Sequence, residues 1–130
     1  MLVPFPIVLF IGTLLTDLAY WFTAEIMWAN FSAWLVTAGV VLGLLAAIAG
    51  LIDFIGEPLV RALPAAWFHL IGNGIALTLA IFNMLIHSRD GWTSVVPTGL
   101  ILSALVVLIL LFTGWMGGAM VYRHRVGVTG

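Results

Sequence analysis

Three histidines and a few acidic residues are the side chains whose types and spacing could support chemistry. His69 opens the third apolar run of the sequence, and His124 closes the fourth. If these runs are antiparallel helices, both imidazoles lie at the same end of a bundle. Two imidazoles from facing helices are a common way to hold haem b. The spacing therefore predicts one bis-histidine haem b between His69 and His124.

Two glycines share the helical faces of these histidines. Gly72 follows His69 by three residues, and Gly117 precedes His124 by seven. A residue without a side chain leaves room for a flat ring, so Gly72 and Gly117 are predicted to border the haem. The other interpretation is that they let neighbouring helices pack closely, as small residues commonly do in membranes.

A metal ion is the alternative cofactor at the same end. Asp53 and Glu57 close the second apolar run, on the side of the membrane where His69 and His124 are expected. Imidazole nitrogens and carboxylate oxygens together suit zinc or non-haem iron. The alternative prediction is a single metal ion held by His69, His124 and Asp53. A third interpretation has no cofactor, with the histidines forming hydrogen bonds in an accessory or structural subunit.

Asp17 lies well inside the first apolar run and is predicted to sit near the middle of the membrane. A carboxylate at that depth is costly, usually has a partner and often marks function. Asn83 and Thr16 are the expected partners, with His87 more distant; fixing the register of the helices is the alternative role. His87 is about 27 Å from His69 along one helix, so the two cannot share a centre.

Composition defines the elements that must position these residues. Hydrophobic residues make up 64% of the 130 residues and charged residues 7%, and the mean hydropathy is +1.26. A helix needs roughly 20 mostly apolar residues to span a bilayer. The predicted fold is all-α, an integral membrane four-helix antiparallel bundle in one domain over residues 1–130. Its predicted spans are about 5–24, 33–52, 65–87 and 96–121.

Small and polar residues recur at three- and four-residue steps along each run, so they share one helical face. The third run is the clearest case, with His69, Gly72, Asn73, Ala76, Ala80, Asn83 and His87. These faces are predicted to point into the bundle, with Asp17, Asn73 and Asn83 as buried polar residues. Similar stripes serve contacts between chains, which leaves a homo-oligomer open.

Charge and cysteine content exclude several classes of function. The sequence has no lysine and a net charge of −1, so a nucleic-acid partner is not expected. Cysteine is absent, which excludes disulfides, thiolate catalysis and c-type haem attachment. No serine or acidic pair has a recognisable catalytic arrangement with a base, so an enzyme is not predicted.

The arginines predict the orientation in the membrane. Arg61, Arg123 and Arg125 fall on the same side as the N-terminus, whereas Arg89 falls on the other side. Arginine-rich ends stay cytoplasmic. Both termini are therefore predicted to be cytoplasmic. The first run lacks a basic leader and a small-residue cleavage site, which favours a permanent helix over a signal peptide.

Several short motifs carry a family resemblance. They are Met1–Ile7, Gly50–Asp53, Trp67–His69, Gly114–Gly118, Val121–His124 and Val126–Val128. Across almost its whole length the chain resembles a bacterial family of small membrane proteins catalogued as a domain of unknown function. The resemblance implies a four-helix protein of the bacterial inner membrane. Relatives are sometimes attached to Rieske or cytochrome c-like modules, which implies a redox setting with a membrane or periplasmic partner.

The sequence departs from the family pattern in two places. Many relatives carry an HPxHP stretch before the segment that matches Met1–Ile7, and this chain lacks it. Arg125 stands where many relatives have glycine. If those upstream histidines complete a metal site in relatives, either that site is incomplete here or the true start of the chain lies upstream of Met1. The matched positions that remain are His69, His124, Asp53 and Asp17.

Overall fold

The structure of the chain, a computed structural model, describes the backbone of residues 4–124 and the side chains of residues 5–119. Within this part are five α-helices, α1 (Pro4–Thr23), α2 (Ile26–Gly56), α3 (Pro58–Arg61), α4 (Pro64–His87) and α5 (Thr98–His124), and a 3-10 turn, Gly91–Ser94. Four of these helices, α1, α2, α4 and α5, are long and apolar enough to cross a membrane. The predicted all-α membrane fold with four spanning helices is confirmed.

The four long helices form a closed ring. α1 packs on α2 and α5, and α4 packs on α2 and α5. Short connections make neighbours along the chain antiparallel. The start of α1, the α2–α4 connection and the end of α5 therefore share one end of the bundle, called here the His69 end. The opposite end, where α1 and α4 finish, is called the His87 end.

The outer surface of the bundle is strongly apolar. Phe22 is 79% exposed, Trp34 76% and Leu108 64%. Water would penalise such exposure, whereas hydrocarbon tails favour it. The interior is narrow, and its main apolar cluster is formed by Phe10, Val36, Val40, Ala80, Val106 and Val107.

Close helix approach depends on glycine at two points of α2. A Cβ atom on Gly39 would lie 2.6 Å from Cε1 of Phe10, in α1. A Cβ atom on Gly43 would lie 3.1 Å from Cδ1 of Leu77, in α4. Gly39 and Gly43 thus bring two different neighbours against α2, which is the expected role of small residues in membrane helices.

The start of α2 differs most from the prediction. A span over 33–52 preceded by a turn over 25–32 is wrong, because α2 already begins at Ile26. The turn consists of Ala24 and Glu25, and Ala24 adopts a left-handed backbone with φ of 55°. Ser32 is buried and shares a hydrogen bond with the Thr16 hydroxyl. This contact draws the first turns of α2 into the bundle.

Arg61 closes the end of α2. Its Nη1 donates hydrogen bonds to the carbonyl oxygens of Phe54, at 3.2 Å, and of Ile55. Trp67 Nε1 donates in turn to the carbonyl oxygen of Arg61 at 2.9 Å. A cation beside the last carbonyls of a helix complements its dipole, so Arg61 stabilises the α2–α4 connection.

Candidate functional site

The first polar site surrounds Asp17, which is fully buried. Oδ1 of Asp17 lies 2.7 Å from Nε2 of His87, the last residue of α4. Asp17 is six residues from the end of α1 at Thr23, or about 9 Å along the helix. The residue is therefore about 5 Å from the midpoint of α1, displaced toward the His87 end.

Two further side chains complete this site. Ser103 Oγ, from α5, donates to Oδ2 of Asp17. Asn83 Nδ2 donates to Ser103 Oγ at 2.8 Å, so Asn83 reaches Asp17 only through the serine. The expected order of partners is reversed, since His87 bonds Asp17 directly and Asn83 does not. Asp17, Asn83, His87 and Ser103 are called the Asp17 cluster below.

The hydrogen bonds fix where protons must be in this cluster. His87 Nδ1 lies 2.8 Å from the backbone carbonyl oxygen of Asn83, which can only accept, so Nδ1 carries hydrogen. A neutral ring then has an acceptor at Nε2, facing an Asp17 oxygen. That contact requires one additional proton, on either the imidazole or the carboxyl. The Asp17–His87 pair thus holds a proton inside the membrane-spanning bundle.

The Asp17 cluster is closed off by packing. A Cβ atom on Gly99 would lie 3.0 Å from Cε1 of His87 and 3.1 Å from the carbonyl oxygen of Ser94. Asn83, His87 and Ser103 are each at most 5% exposed. Among the described side chains, Oδ1 of Asn83 is the one buried polar atom without a hydrogen-bond partner in the protein.

The second polar site surrounds His69 and joins α4 to α5. His69 Nδ1 donates to the carbonyl oxygen of Thr113 at 2.9 Å. Asn73 Nδ2 donates to His69 Nε2 at 3.0 Å, and Thr113 Oγ1 donates to Asn73 Oδ1 at 2.6 Å. With a donor on Nε2, the imidazole is neutral. His69, Asn73 and Thr113 are called the His69 cluster below.

The two glycines predicted to border a haem lie against this cluster. A Cβ atom on Gly72 would lie 2.5 Å from Cγ2 of Thr113. A Cβ atom on Gly117 would lie 3.0 Å from Cε1 of His69. Thr113 and His69 therefore occupy the space beside Gly72 and Gly117, which matches the packing interpretation of these glycines.

The described residues do not fit an axial haem ligand in this arrangement. Iron would need the lone pair of His69 Nε2, which accepts a hydrogen bond from Asn73, whereas the bond from Nδ1 to the carbonyl oxygen of Thr113 is compatible with ligation. The side chain of His124 lies outside the described residues. Its backbone is seven residues beyond Gly117, about 10 Å further along α5. The bis-histidine haem stays a prediction.

The metal alternative also stays a prediction. Asp53 is exposed and borders the same cavity as His69. Among the described side chains, no group of three histidine or acidic residues is placed to hold a metal ion. The predicted set relied on His124, whose side chain lies outside that part of the chain, and Glu57 is exposed at the end of α2.

A cavity of about 340 Å³ lies beside the His69 cluster. The start of α1, the second half of α2, and α3, α4 and α5 all contribute to its walls. Its polar lining consists of Asp53, His69, Asn73 and Thr113, and most of the remaining lining is apolar, including Pro6, Ile7, Ala46, Ala47, Phe54, Leu70, Leu77 and Leu110. Small-molecule sites have this size and this mixture of surfaces.

Sequence reasoning missed two residues of these sites and underrated a third. Ser103 and Thr113 are not among the residues that the sequence predicted to form a site. Steps of three and four residues link Leu110, Thr113 and Gly117, so the helical pattern could have found Thr113. His87 was expected to be a more distant partner of Asp17, because periodicity does not show how far one helix is displaced along its neighbour.

Comparison with known proteins gives one match. A family model described as "Predicted membrane protein (DUF2231)" matches residues 1–130. The resemblance seen in the sequence motifs is thereby confirmed over the whole chain. No curated protein and no solved structure matches the chain.

Proposed function

Since the chain belongs to this family of membrane proteins of unknown function, we propose that it is an accessory subunit of a redox assembly in the bacterial inner membrane, with no haem or metal of its own. One observation carries the cofactor-free part of the proposal. Nε2 of His69, the ring nitrogen that each cofactor prediction needs, accepts a hydrogen bond from Asn73 within the chain.

The internal bonds of the bundle support an accessory role. The Asp17 cluster joins α1, α4 and α5, and the His69 cluster joins α4 and α5. Inward polar groups that bond each other make a rigid support for other subunits. The apolar outer surface offers lipid and membrane partners a broad contact area. The redox setting follows from the resemblance to proteins attached to Rieske and cytochrome c-like modules.

Haem b between His69 and His124 is the competing function, and a metal ion on His69, His124 and Asp53 is the next. Both require Nε2 of His69 to give up its hydrogen bond from Asn73. This cost favours the cofactor-free subunit over either alternative.

The first experiment is an absorption spectrum of detergent-purified protein from haem-replete cells, oxidised and reduced, with a pyridine haemochrome assay and metal analysis. We expect a colourless protein without stoichiometric metal. Near-stoichiometric haem b that is lost in both His69→Ala and His124→Ala would overturn the proposal in favour of an electron carrier. Stoichiometric metal without a Soret band would favour the metal alternative.

The accessory role has its own test on native membranes. We expect the chain to migrate in native gels with a larger complex that stains for haem or iron–sulfur redox activity. Migration as a free subunit, in membranes where redox complexes remain intact, would contradict an accessory role. This test does not depend on whether the chain itself is colourless.

We also propose that the His69 end faces the cytoplasm, because Arg61 and Arg123 lie at that end, with Arg125 two residues further along the sequence, whereas Arg89 lies at the other end. The chain contains no cysteine, so single cysteines report accessibility without background. We expect Asp90→Cys to react with an impermeant maleimide in spheroplasts, and Glu57→Cys to react only after the membrane is opened. The reverse pattern would invert the orientation.

A further inference from the structure

The cavity beside the His69 cluster differs from an ordinary lipid groove because its apolar walls meet a polar corner. Asp53 borders it from α2, whereas Asn73 and Thr113 border it from α4 and α5. Polar groups thus stand on two walls of one apolar space. This arrangement suits a molecule that has an apolar body and polar groups at two of its edges.

The hydrogen bonds of the His69 cluster show which polar groups such a molecule needs. The hydroxyl hydrogen of Thr113 is donated to Asn73, and one amide hydrogen of Asn73 is donated to His69. What these two residues retain is mostly accepting capacity, with one amide hydrogen of Asn73 left over. An ionised Asp53 carboxylate only accepts. The cavity therefore favours a ligand that donates hydrogen bonds.

From these observations we infer that the cavity is a binding site for a membrane-soluble hydroquinone, an aromatic ring with hydroxyl groups at opposite edges and an apolar tail. One hydroxyl donates to Asp53, and the other donates to Asn73 or Thr113. The ring and tail lie against the apolar walls formed by Ala46, Ala47, Leu77 and Leu110. This inference goes beyond the accessory role proposed above.

The structure offers a way to fill the cavity without disturbing the packing. A Cβ atom on Gly50 or on Gly74 would meet nothing within 4 Å, and both glycines line the cavity. A Cβ atom on Gly56 also meets nothing within 4 Å, but Gly56 is not part of the lining. Gly50→Leu is therefore the blocking variant and Gly56→Leu its matched control on the same helix.

The probes are tetramethylhydroquinone and tetramethylquinone, titrated anaerobically against purified protein in deuterated detergent by saturation-transfer NMR, with empty micelles as the blank. We expect the hydroquinone to bind about tenfold more tightly than the quinone, the effect of one additional hydrogen bond. Gly50→Leu should weaken binding by more than about tenfold, and Gly56→Leu should leave it unchanged. Asp53→Asn should reduce the preference for the hydroquinone.

Several outcomes would overturn the inference. Equal binding of both probes, or full binding by a folded Gly50→Leu protein, would remove the hydroquinone site. A phospholipid that copurifies with the wild type and is lost in Gly50→Leu would assign the cavity to an acyl chain. A change of oligomeric state in Gly50→Leu, measured by light scattering, would assign it to a helix of a second copy. If Gly50→Leu does not fold, Gly74→Leu repeats the test from the opposite wall. Migration in native gels tests the accessory role separately.

Discussion

His69 and His87 stand near opposite ends of α4 and are anchored in the same way. In each residue Nδ1 donates to a backbone carbonyl oxygen, and each ring lies against a glycine of α5, Gly117 or Gly99. Their Nε2 atoms face different partners. Asn73 donates an amide hydrogen to His69, whereas His87 meets the Asp17 carboxyl group.

This difference shows that the partner, and not the histidine, sets the number of protons at each site. An amide donor requires a neutral His69, whereas the Asp17 carboxyl can approach His87 only with an additional proton between them. The surroundings differ as well, since the Asp17 cluster is closed by packing and the His69 cluster borders a cavity. The His69 cluster is thus open to a cavity, whereas the Asp17 cluster keeps its additional proton in a closed site.

Asp17→Ala should cause the largest loss in the free energy of unfolding, because it removes the partner of His87. Removing one member of a buried pair leaves His87 and Ser103 without their acceptor, at a cost of about 3 kcal/mol in the free energy of unfolding. SDS-induced unfolding in mixed micelles measures the change. Asp53→Ala is the control, because the exposed Asp53 should leave the midpoint unchanged. An equal midpoint for Asp17→Ala and wild type would mean that the pair does not stabilise the bundle.

His69→Ala, at the His69 end of the bundle, should lower the free energy of unfolding by less than Asp17→Ala does. It removes two hydrogen bonds and leaves groups of Asn73 and Thr113 without partners, at a cost of about 2 kcal/mol. The adjoining cavity lets water or other groups replace part of what is lost. The same unfolding assay applies, and a loss equal to or greater than that of Asp17→Ala would contradict the ranking of the two clusters.

The glycine seats of the two rings provide a finer comparison. Gly99→Ala places a methyl group against both the His87 ring and a fixed backbone oxygen of Ser94, so we expect a loss of about 1–3 kcal/mol. In Gly117→Ala the added methyl group meets the His69 ring, which can shift toward the cavity. The loss in the free energy of unfolding should therefore be below about 1 kcal/mol. Thermal unfolding in detergent measures the loss of stability in each variant. Equal losses for Gly99→Ala and Gly117→Ala would argue against a difference in packing between the two rings.

The smallest change in stability is expected for Asp17→Asn. An amide can donate to Nε2 of His87 and accept from Ser103, so the cost should be below about 1 kcal/mol. The shared proton is nevertheless lost. We expect a strongly downfield proton resonance in histidine-labelled wild-type protein that disappears in Asp17→Asn, with the His69 signals unchanged. Persistence of that resonance would show that it does not arise from the Asp17–His87 pair.

The membrane fold could be predicted from composition because a bilayer allows few alternatives to apolar helices. The start of α2 was mispredicted because Trp28, Asn30 and Ser32 have the composition of an interfacial turn. Their helical structure depends on a tertiary contact, the hydrogen bond between Ser32 and Thr16, which local composition does not reveal.

The sites were predictable only in part, for a related reason. Periodicity predicts which face of a helix points inward, but it does not fix how far one helix is displaced along its neighbour. Asp17, six residues before the end of α1, meets His87, the last residue of α4, because of the displacement between these two helices. Thr113 meets Asn73 because of the register between α5 and α4. These displacements are set by side-chain packing across the whole bundle.

One helix, α5, packs against the imidazole rings of both His69 and His87. Gly99 and Gly117 are 18 residues apart on α5, about 27 Å, so the same rod holds one ring near each face of the membrane. A displacement of α5 along its axis would change the packing of Gly99 on His87 and of Gly117 on His69 together. The packing of both histidine rings therefore depends on the axial position of α5.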